Sequence, residues 1–466
     1  MTTEHFDLVI IGAGSGNSII SPAMDSWRIA IIERETFGGT CLNKGCIPSK
    51  MFVLPAEIAQ DARDAAPLGI HATVDRVDWP SIVKRVFGRI DPIAAGGERY
   101  RESLANVTVF HGDARFVGDR TLTVDVPGRD LATVTGDRFV LAAGARSFVP
   151  DVPGLDTVEW HTSDTIMRLA ELPQRLVIIG GGFIAAEMAG VFAGFGSHVT
   201  IVNRSGRLLM AEDHDISARF TDLASRHIDV VTNAHNLRVE PRANGAFALS
   251  VATPNEHLVI DGDVMLIAAG RTPNGAQLGV ESTGVSLDVK GNVVTDQHLL
   301  AAPGVWALGD IRGHHQLKHW ANLEAKIVQH NLLYPESPHI VPDKKPVPHA
   351  VFSHPQIGAV GVTELDAIAS ETPHIVVTHE YSNTAFGWAL EDTTSFVKLI
   401  ADPTGTWLLG AHIIGPQAAT LVQLLVQGMH LGNTIKQMAT DVIYIHPALT
   451  EVIEQALLKV LELANA

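Results

Sequence analysis

Short apolar runs recur along the chain, and several end directly in glycines. Phe6–Gly16 reads FDLVIIGAGSG, and Arg175–Glu187 reads RLVIIGGGFIAAE. Each strand-like run passes into a glycine cluster, then a helical stretch, then a second apolar run, Ile29–Ile32 and His198–Val202 respectively. Strand, glycine turn, helix and strand make a βαβ unit, so the pattern predicts two nucleotide-binding domains. A further strand, Phe139–Ala142, leads into the bend Pro150–Gly154 before the second unit. Ile267–Asn274, IAAGRTPN, is another strand ending in a Gly/Pro turn, and the stretch to Gly309–Asp310 closes a dinucleotide domain again. The Pro-rich segment His339–Pro348 then opens a third region. It has strand-like runs at Thr394–Ile400 and Trp407–Ile414 and helical stretches at Ala418–Leu431 and Thr450–Leu463, an α+β pattern. The spacing of Leu421, Leu424, Leu425 and Gly428 fits a packed helix face.

Length agrees, since 466 residues correspond to roughly three domains. With 34 Lys+Arg against 51 Asp+Glu, the net charge of −17 disfavours nucleic-acid backbone binding, which needs clustered cations. The start, MTTEHFDLVIIGAGSG, lacks the basic region and long apolar core of a secretory signal. No stretch approaches the ~18 apolar residues of a membrane span. The expectation is therefore a soluble cytoplasmic protein without membrane or nucleic-acid partners. Cys41 and Cys46 are the two cysteines of the chain, which excludes a disulfide framework and a four-cysteine metal site. No metal site is expected.

The chemistry concentrates in four motifs. In Gly12-Ala13-Gly14-Ser15-Gly16-Asn17, the first glycine permits the tight turn and the second lets a diphosphate approach the backbone. Asn17 replaces the third glycine, and Gly16 sits one place early. Glu33 ends the second strand, about 20 residues on, where an acid binds ribose hydroxyls. The second motif, Gly180-Gly181-Gly182-Phe183-Ile184-Ala185, lacks that acid. Asn203 and Arg204 stand in its place with Arg207 close behind, which favours the 2′-phosphate of NADPH. The third is Gly38-Gly39-Thr40-Cys41-Leu42-Asn43-Lys44-Gly45-Cys46-Ile47-Pro48-Ser49-Lys50. Two thiols with four residues between them can close a small ring on one helical turn, and a helix N-terminus favours the attacking thiolate. The fourth, His446-Pro447-Ala448-Leu449-Thr450-Glu451, offers a proton-shuttling histidine and a carboxylate to orient it.

GAGSG, GGTCLNKGCIPSK, GGGFIAAE, AAGRTPN, ALGD and HPALTE, in that order, resemble the pyridine nucleotide–disulfide oxidoreductase family (class I) over essentially the whole chain. The resemblance implies an α/β fold of two Rossmann-like domains, for FAD and NADPH, plus a C-terminal α+β dimerisation domain. Residues 1–148 and 271–338 would form the FAD-binding domain, 149–270 the NADPH-binding domain and 339–466 the interface domain. FAD would be held by Gly12, Gly14, Ser15, Gly16, Glu33, Gly39, Thr40, Lys50, Ala114, Gly144 and Asp310. Gly180, Gly182, Phe183, Ile184, Glu187, Asn203, Arg204, Arg207 and Gly270 would serve the nicotinamide side, with Phe183 covering the flavin and Glu187 pairing with Lys50. The implied catalytic set is Cys41, Cys46, His446 and Glu451. Electrons would pass from NADPH through the flavin to the Cys41–Cys46 disulfide. Cys41 would then attack a small-molecule disulfide, Cys46 would face the flavin and resolve the mixed disulfide, and His446, oriented by Glu451, would move the proton. In the family the partner subunit supplies the His–Glu pair, so a homodimer with shared active sites follows. Within the family, Asn17, Asn203-Arg204 and the HPALTE ending resemble the branch that reduces mycothiol disulfide (mycothione). CLNKGCIPSK is closer to the dihydrolipoamide dehydrogenases, and a glutathione-reductase-like enzyme is a further alternative. A flavin-binding redox sensor without catalysis fits less well with the complete Cys/Cys/His/Glu set.

Overall fold

The first apolar run folds as strand β1 (Thr3–Ile11), with Leu8–Ile11 buried on both faces. Continuous burial is expected of a parallel strand covered on both sides. The computed structural model describes residues 3–128 and 130–465; the outermost ends of the expected FAD and interface domains, and position 129, lie outside them. The chain divides into two units.

One unit comprises the chain up to Ser49, Ser81–Phe148 and Gly270–Lys344. Its sheet pairs β1 in parallel with β2 (Ile29–Glu33) and β6 (Ala132–Leu141), and β2 with β3 (Val107–His111). β4 (Asp113–Gly118) and β5 (Thr121–Asp125) form a hairpin joined to β6. The return segment docks on the same sheet, for β17 (Val305–Ala307) pairs in parallel with β6 and antiparallel with β16 (Leu300–Ala302). β7 (Ala145–Ser147) pairs with β15 (Arg271–Pro273). Helices α1 (Gly39–Asn43), α6 (Gly275–Leu278) and α7 (Lys318–Leu333) lie here, and α2 (Cys46–Asp64) begins here.

The other unit comprises Lys50–Pro80, Val149–Ala269 and the chain from Lys345 onward, with α3 (Trp79–Glu102) starting at its edge. Its parallel sheet has the order β10 (Asp229–Val231), β9 (His198–Val202), β8 (Arg175–Ile179), β14 (Val264–Ile267). Helices α4 (Phe183–Gly194) and α5 (His214–Ala224) accompany it, with an antiparallel sheet of β11 (His235–Pro241), β12 (Phe247–Ala252) and β13 (His257–Gly262). The C-terminal part is a five-stranded antiparallel sheet in the order β18 (His349–Val351), β19 (Ile357–Gly361), β22 (Leu408–Ile414), β21 (Phe396–Ala401), β20 (Ile375–Glu380). It carries helices α8 (Glu364–Ala369), α9 (Ala385–Ala389), α10 (Ala418–Leu431), α11 (Ile435–Thr440) and α12 (Glu451–Ala464). The fold is thus two Rossmann-like α/β parts and a C-terminal α+β part, as the sequence pattern implies.

Three details differ from the sequence reading. The helical stretch after Gly12–Gly16 is a five-residue 3₁₀ helix, Ser15–Ile19, with a second short one at Pro22–Met24. Proline lacks an N–H and biases the residue before it toward extended backbone, which Ser21 adopts (φ −135°), so the helix cannot continue. The two cysteines sit on separate helices rather than one turn. On α10 the buried face is Leu421, Val422, Leu425 and Val426, whereas Leu424 is 42% exposed. Leu424 lies on the flank, because packing against the sheet selects the i, i+1, i+4, i+5 positions.

Candidate active site

Three backbone segments converge where the dinucleotide turn closes. Gly12 has φ +104°, and a Cβ there would meet the carbonyl carbon of Ala142 at 2.7 Å. Gly39 has φ +72°, and its Cβ would stand 2.6 Å from the Gly14 Cα. A Cβ on Gly16 would lie 2.6 Å from the Ala142 Cβ. A side chain at any of these would force the segments apart and fill the space over the turn. Glu33, ending β2, accepts the Ala13 N–H at 2.8 Å and the Glu35 N–H at 3.0 Å. Asp310 lies on the Gly309–Arg312 turn. Burial pushes its pKa up, opposed by the charges of Arg271, 3.9 Å away, and Lys318. Glycines with no room for Cβ, a carboxylate at the second strand's end and a half-buried carboxylate on the Gly309–Arg312 turn fit the diphosphate, ribose and ribityl of FAD.

Around this cradle the sequence reading missed several residues. Arg101 donates from Nε to Asn17 Oδ1 at 2.6 Å and from Nη2 to the Asn17 carbonyl at 2.7 Å. It thereby closes the open end of the short helix, and its burial lowers the guanidinium pKa. Its one sequence signal was Asn17 itself, an amide where the fingerprint has glycine. Glu324 is buried on α7, accepts the Gly309 N–H at 2.6 Å and pairs with Arg312, fixing the turn that carries Asp310. Gly144 (φ +64°) is held through its carbonyl by the Asn274 N–H at 3.1 Å. Ala114 is half-buried and packs against the hydrophobic core of this unit.

Cys41 and Cys46 are joined by a disulfide, with Cα atoms 4.7 Å apart. Cys41 belongs to α1, Lys44 caps that helix, and Cys46 is the first residue of α2. The break falls at Gly45, where a Cβ would sit 3.1 Å from the Thr40 carbonyl oxygen. Thr40 is exposed, and its carbonyl accepts the Lys44 N–H at 2.9 Å. Asn43 is buried and donates to the carbonyls of Thr36, Phe37 and Gly39 at 3.0–3.2 Å, so one amide holds the loop before the cysteines. Lys44, unexplained by sequence, pairs with Glu35. Because the Glu35 N–H is itself bound by Glu33, the cysteine loop and the Glu33 carboxylate form one connected network. The 19-residue α2 presents its positive end to Cys46, which favours a thiolate there.

In the second unit Gly180 has φ +127°, and Gly182 caps α4. Phe183, the first residue of α4, is 49% exposed, Ile184 is half-buried, and Glu187 one turn on is buried. Lys50 Nζ lies 2.7 Å from both Glu187 oxygens, and the Phe352 N–H adds a third bond at 3.1 Å. The Lys50 ammonium also stands 4.5 Å over the Phe352 ring. Phe352 had no sequence signal. The three residues expected to recognise a 2′-phosphate part company. Asn203 turns inward and donates to the carbonyls of Ser205 (3.0 Å) and Arg207 (2.8 Å), and a Cβ on Gly181 would strike it at 2.5 Å. Arg207 is tied to His214 at 3.0 Å and Ser217 at 3.4 Å. Arg204 is exposed. Gly270 has φ +130°, and its carbonyl accepts the Phe148 N–H at 2.9 Å.

His446 Nδ1 meets Glu451 Oε1 at 2.7 Å. Glu451 opens α12, and its Oε2 is buried without a partner among the described residues. The carboxylate fixes the ring and leaves Nε2 for proton exchange on a side chain 71% exposed.

These parts define a flavoprotein disulfide reductase. The family described as pyridine nucleotide-disulphide oxidoreductase matches residues 6–325, and its dimerisation domain matches residues 347–457. The chain therefore belongs to the pyridine nucleotide-disulphide oxidoreductase family and is an NAD(P)H-dependent FAD disulfide oxidoreductase carrying the family's dimerisation domain. It is 45% identical to mycothione reductase of Mycobacterium tuberculosis over 98% of this chain and 99% of that one. It is 31% identical to mercuric reductase of Staphylococcus aureus, over 93% of this chain and 78% of that one. Among solved structures, the Cu(II) complex of the HOCl-induced flavoprotein disulfide reductase RclA from Escherichia coli superposes with a TM-score of 0.85 at 29% identity, covering 98% and 99% of the two chains. Enzymes of this family use FAD and NAD(P)H. No helix among the described residues is long and apolar enough to cross a membrane.

Proposed function

We propose that the enzyme reduces mycothiol disulfide with NADPH, as a cytoplasmic homodimer whose two active sites are shared between subunits. The observation that carries this reading is the end-to-end likeness to mycothione reductase at 45% identity, with the Cys41–Cys46 disulfide and the His446–Glu451 pair both formed. FAD would be held at Gly12–Gly16, Gly39, Glu33 and Asp310. When bound, it supplies the two-electron relay between the nicotinamide and the Cys41–Cys46 disulfide.

The remaining steps belong to the chain's own residues. Reduced Cys41, as thiolate, attacks one sulfur of the substrate disulfide, and a mixed disulfide forms as the first thiolate departs. His446 Nε2 delivers a proton to that leaving sulfur, and Glu451 stabilises the imidazolium before the transfer. Cys46, as thiolate, then attacks the Cys41 sulfur, which expels the second thiolate, protonated from solvent, and restores the Cys41–Cys46 disulfide. Dividing the exchange this way replaces one difficult transfer by two easier ones. Glu187 holds Lys50 so that its ammonium offers positive charge to the cofactor. Arg204, exposed beside the second glycine turn, pairs with the 2′-phosphate of NADPH, while Asn203 shapes its loop.

A steady-state panel of disulfides with NADPH and NADH tests the reading. The expected result is preferential turnover of mycothiol disulfide with NADPH. Equal or better turnover of lipoamide with NADH would overturn it in favour of a dihydrolipoamide dehydrogenase.

A further inference from the structure

Dinucleotide sites of this kind place the diphosphate at the N-terminus of an α-helix, whose aligned peptide dipoles favour negative charge. Here the glycine turn opens onto five residues of 3₁₀ helix, and Ser21-Pro22 ends it. So short a helix supplies fewer aligned peptide units to an anion. Arg101 directs its Nε and Nη2 donors at Asn17.

A second cation reaches the same turn from the return segment. Lys318 is the first residue of α7, and its Nζ donates to Ser15 Oγ at 2.9 Å. Ser15 in turn donates to Asn322 Oδ1, one turn along α7, at 3.2 Å. The ammonium also feels the charge of Asp310. Burial lowers its pKa, and Asp310 works in the opposite direction. A cation in the first turn of a 16-residue helix opposes that helix's dipole, and α7 has no acidic residue in its first turn to offset it. A partly buried lysine in an unfavourable helix position, aimed at the phosphate turn, is what a bound anion would stabilise.

We propose that Lys318 pairs with the diphosphate of FAD, exchanging its bond to the Ser15 hydroxyl for the cofactor and supplying the positive charge that the truncated helix lacks. This rests on reading the Gly12–Gly16 cradle as the FAD site. It adds a positioning residue to that site and takes no part in the redox chemistry.

The test is the release of FAD from the holoenzyme after dilution, followed by the recovery of flavin fluorescence at low and high salt. A charge-assisted hydrogen bond lost in Lys318→Met should speed release by about 10-fold at low salt. The gap to the wild type should narrow as salt screens the pair. Lys318→Arg should stay close to the wild type. If Lys318→Met is purified without flavin, titration of FAD into it at the same two salt concentrations gives the corresponding affinities. Release from Lys318→Met as slow as from the wild type would overturn the proposal, as would an acceleration equal at both salt concentrations, the mark of a merely structural role. A wild-type enzyme that carries no flavin would overturn the cradle reading itself and this proposal with it.

Discussion

Asn203 and Arg204 are neighbours in different surroundings, one buried and one exposed, and single substitutions should separate their proposed roles. Arg204 is exposed, so Arg204→Glu should raise the Michaelis constant for NADPH well above any change for NADH; an unchanged nucleotide preference would remove Arg204 from 2′-phosphate recognition. Asn203 is buried and binds two carbonyls of its own loop, so Asn203→Ala should weaken both nucleotides alike. The sequence places both residues where the acid would otherwise stand. It could not tell that one points inward, because that depends on Gly181 leaving room for the amide. His446 was legible from HPALTE, and its contact with Glu451 forms within one chain. His446→Ala should lower kcat by about 10²–10⁴-fold, the usual worth of a positioned acid–base group, with reduction of bound flavin by NADPH unaffected in stopped-flow measurements.

At the scale of elements, β21 carries a lysine where a buried strand should carry an apolar residue. Lys398 is fully buried between Asp213 (2.8 Å), Asp215 (2.7 Å) and Glu364 (2.6 Å), which joins α5, α8 and the antiparallel sheet. Burial works against the charge of Asp213, yet the Lys398 ammonium, the Glu364 N–H and the nearby His412 hold its pKa below the usual carboxylate range. Removing one partner of such a cluster strands the others, so Lys398→Met should cost about 3–5 kcal/mol and lower the unfolding midpoint. Beside it, His349 of β18 bonds Glu212 at 2.9 Å. Burial opposes its protonation, but Glu212 outweighs this and raises the pKa above the ordinary histidine value. A raised pKa contributes stability that is complete below the unfolded value and fades as pH rises through the folded one. The difference in unfolding temperature between wild type and His349→Gln should therefore shrink as pH rises past the ordinary histidine value; a constant difference would exclude this linkage. None of this cluster was read from sequence, since its members are scattered from Glu212 to His412.

For the whole molecule, the proposed sharing of active sites has a direct consequence. Cys46→Ser and His446→Ala homodimers should each be inactive, whereas a heterodimer of the two variants would hold one intact site and regain activity. Mixed or co-expressed variants, assayed with the substrate disulfide, decide it. Activity no higher than that of the separate homodimers would place the histidine in the same subunit as its cysteines.

The sequence by itself determined what depends on local chemistry. Glycines after apolar runs specify the turns, the two cysteines specify the redox pair, and His446 and Glu451 lie five residues apart, within reach of each other. Hydrophobic runs and glycine backbone freedom are local, so the two strand–glycine turn–strand units were legible too, although the first carries a 3₁₀ helix instead of an α-helix. Only the tertiary structure decided how distant segments meet. It brought Lys318 to Ser15, Arg101 to Asn17 and Lys398 to its three carboxylates, and it broke the cysteine segment into two helices at Gly45. Those contacts arise from packing and from the need to give buried polar and charged groups hydrogen-bond partners. No window of neighbouring residues contains that information.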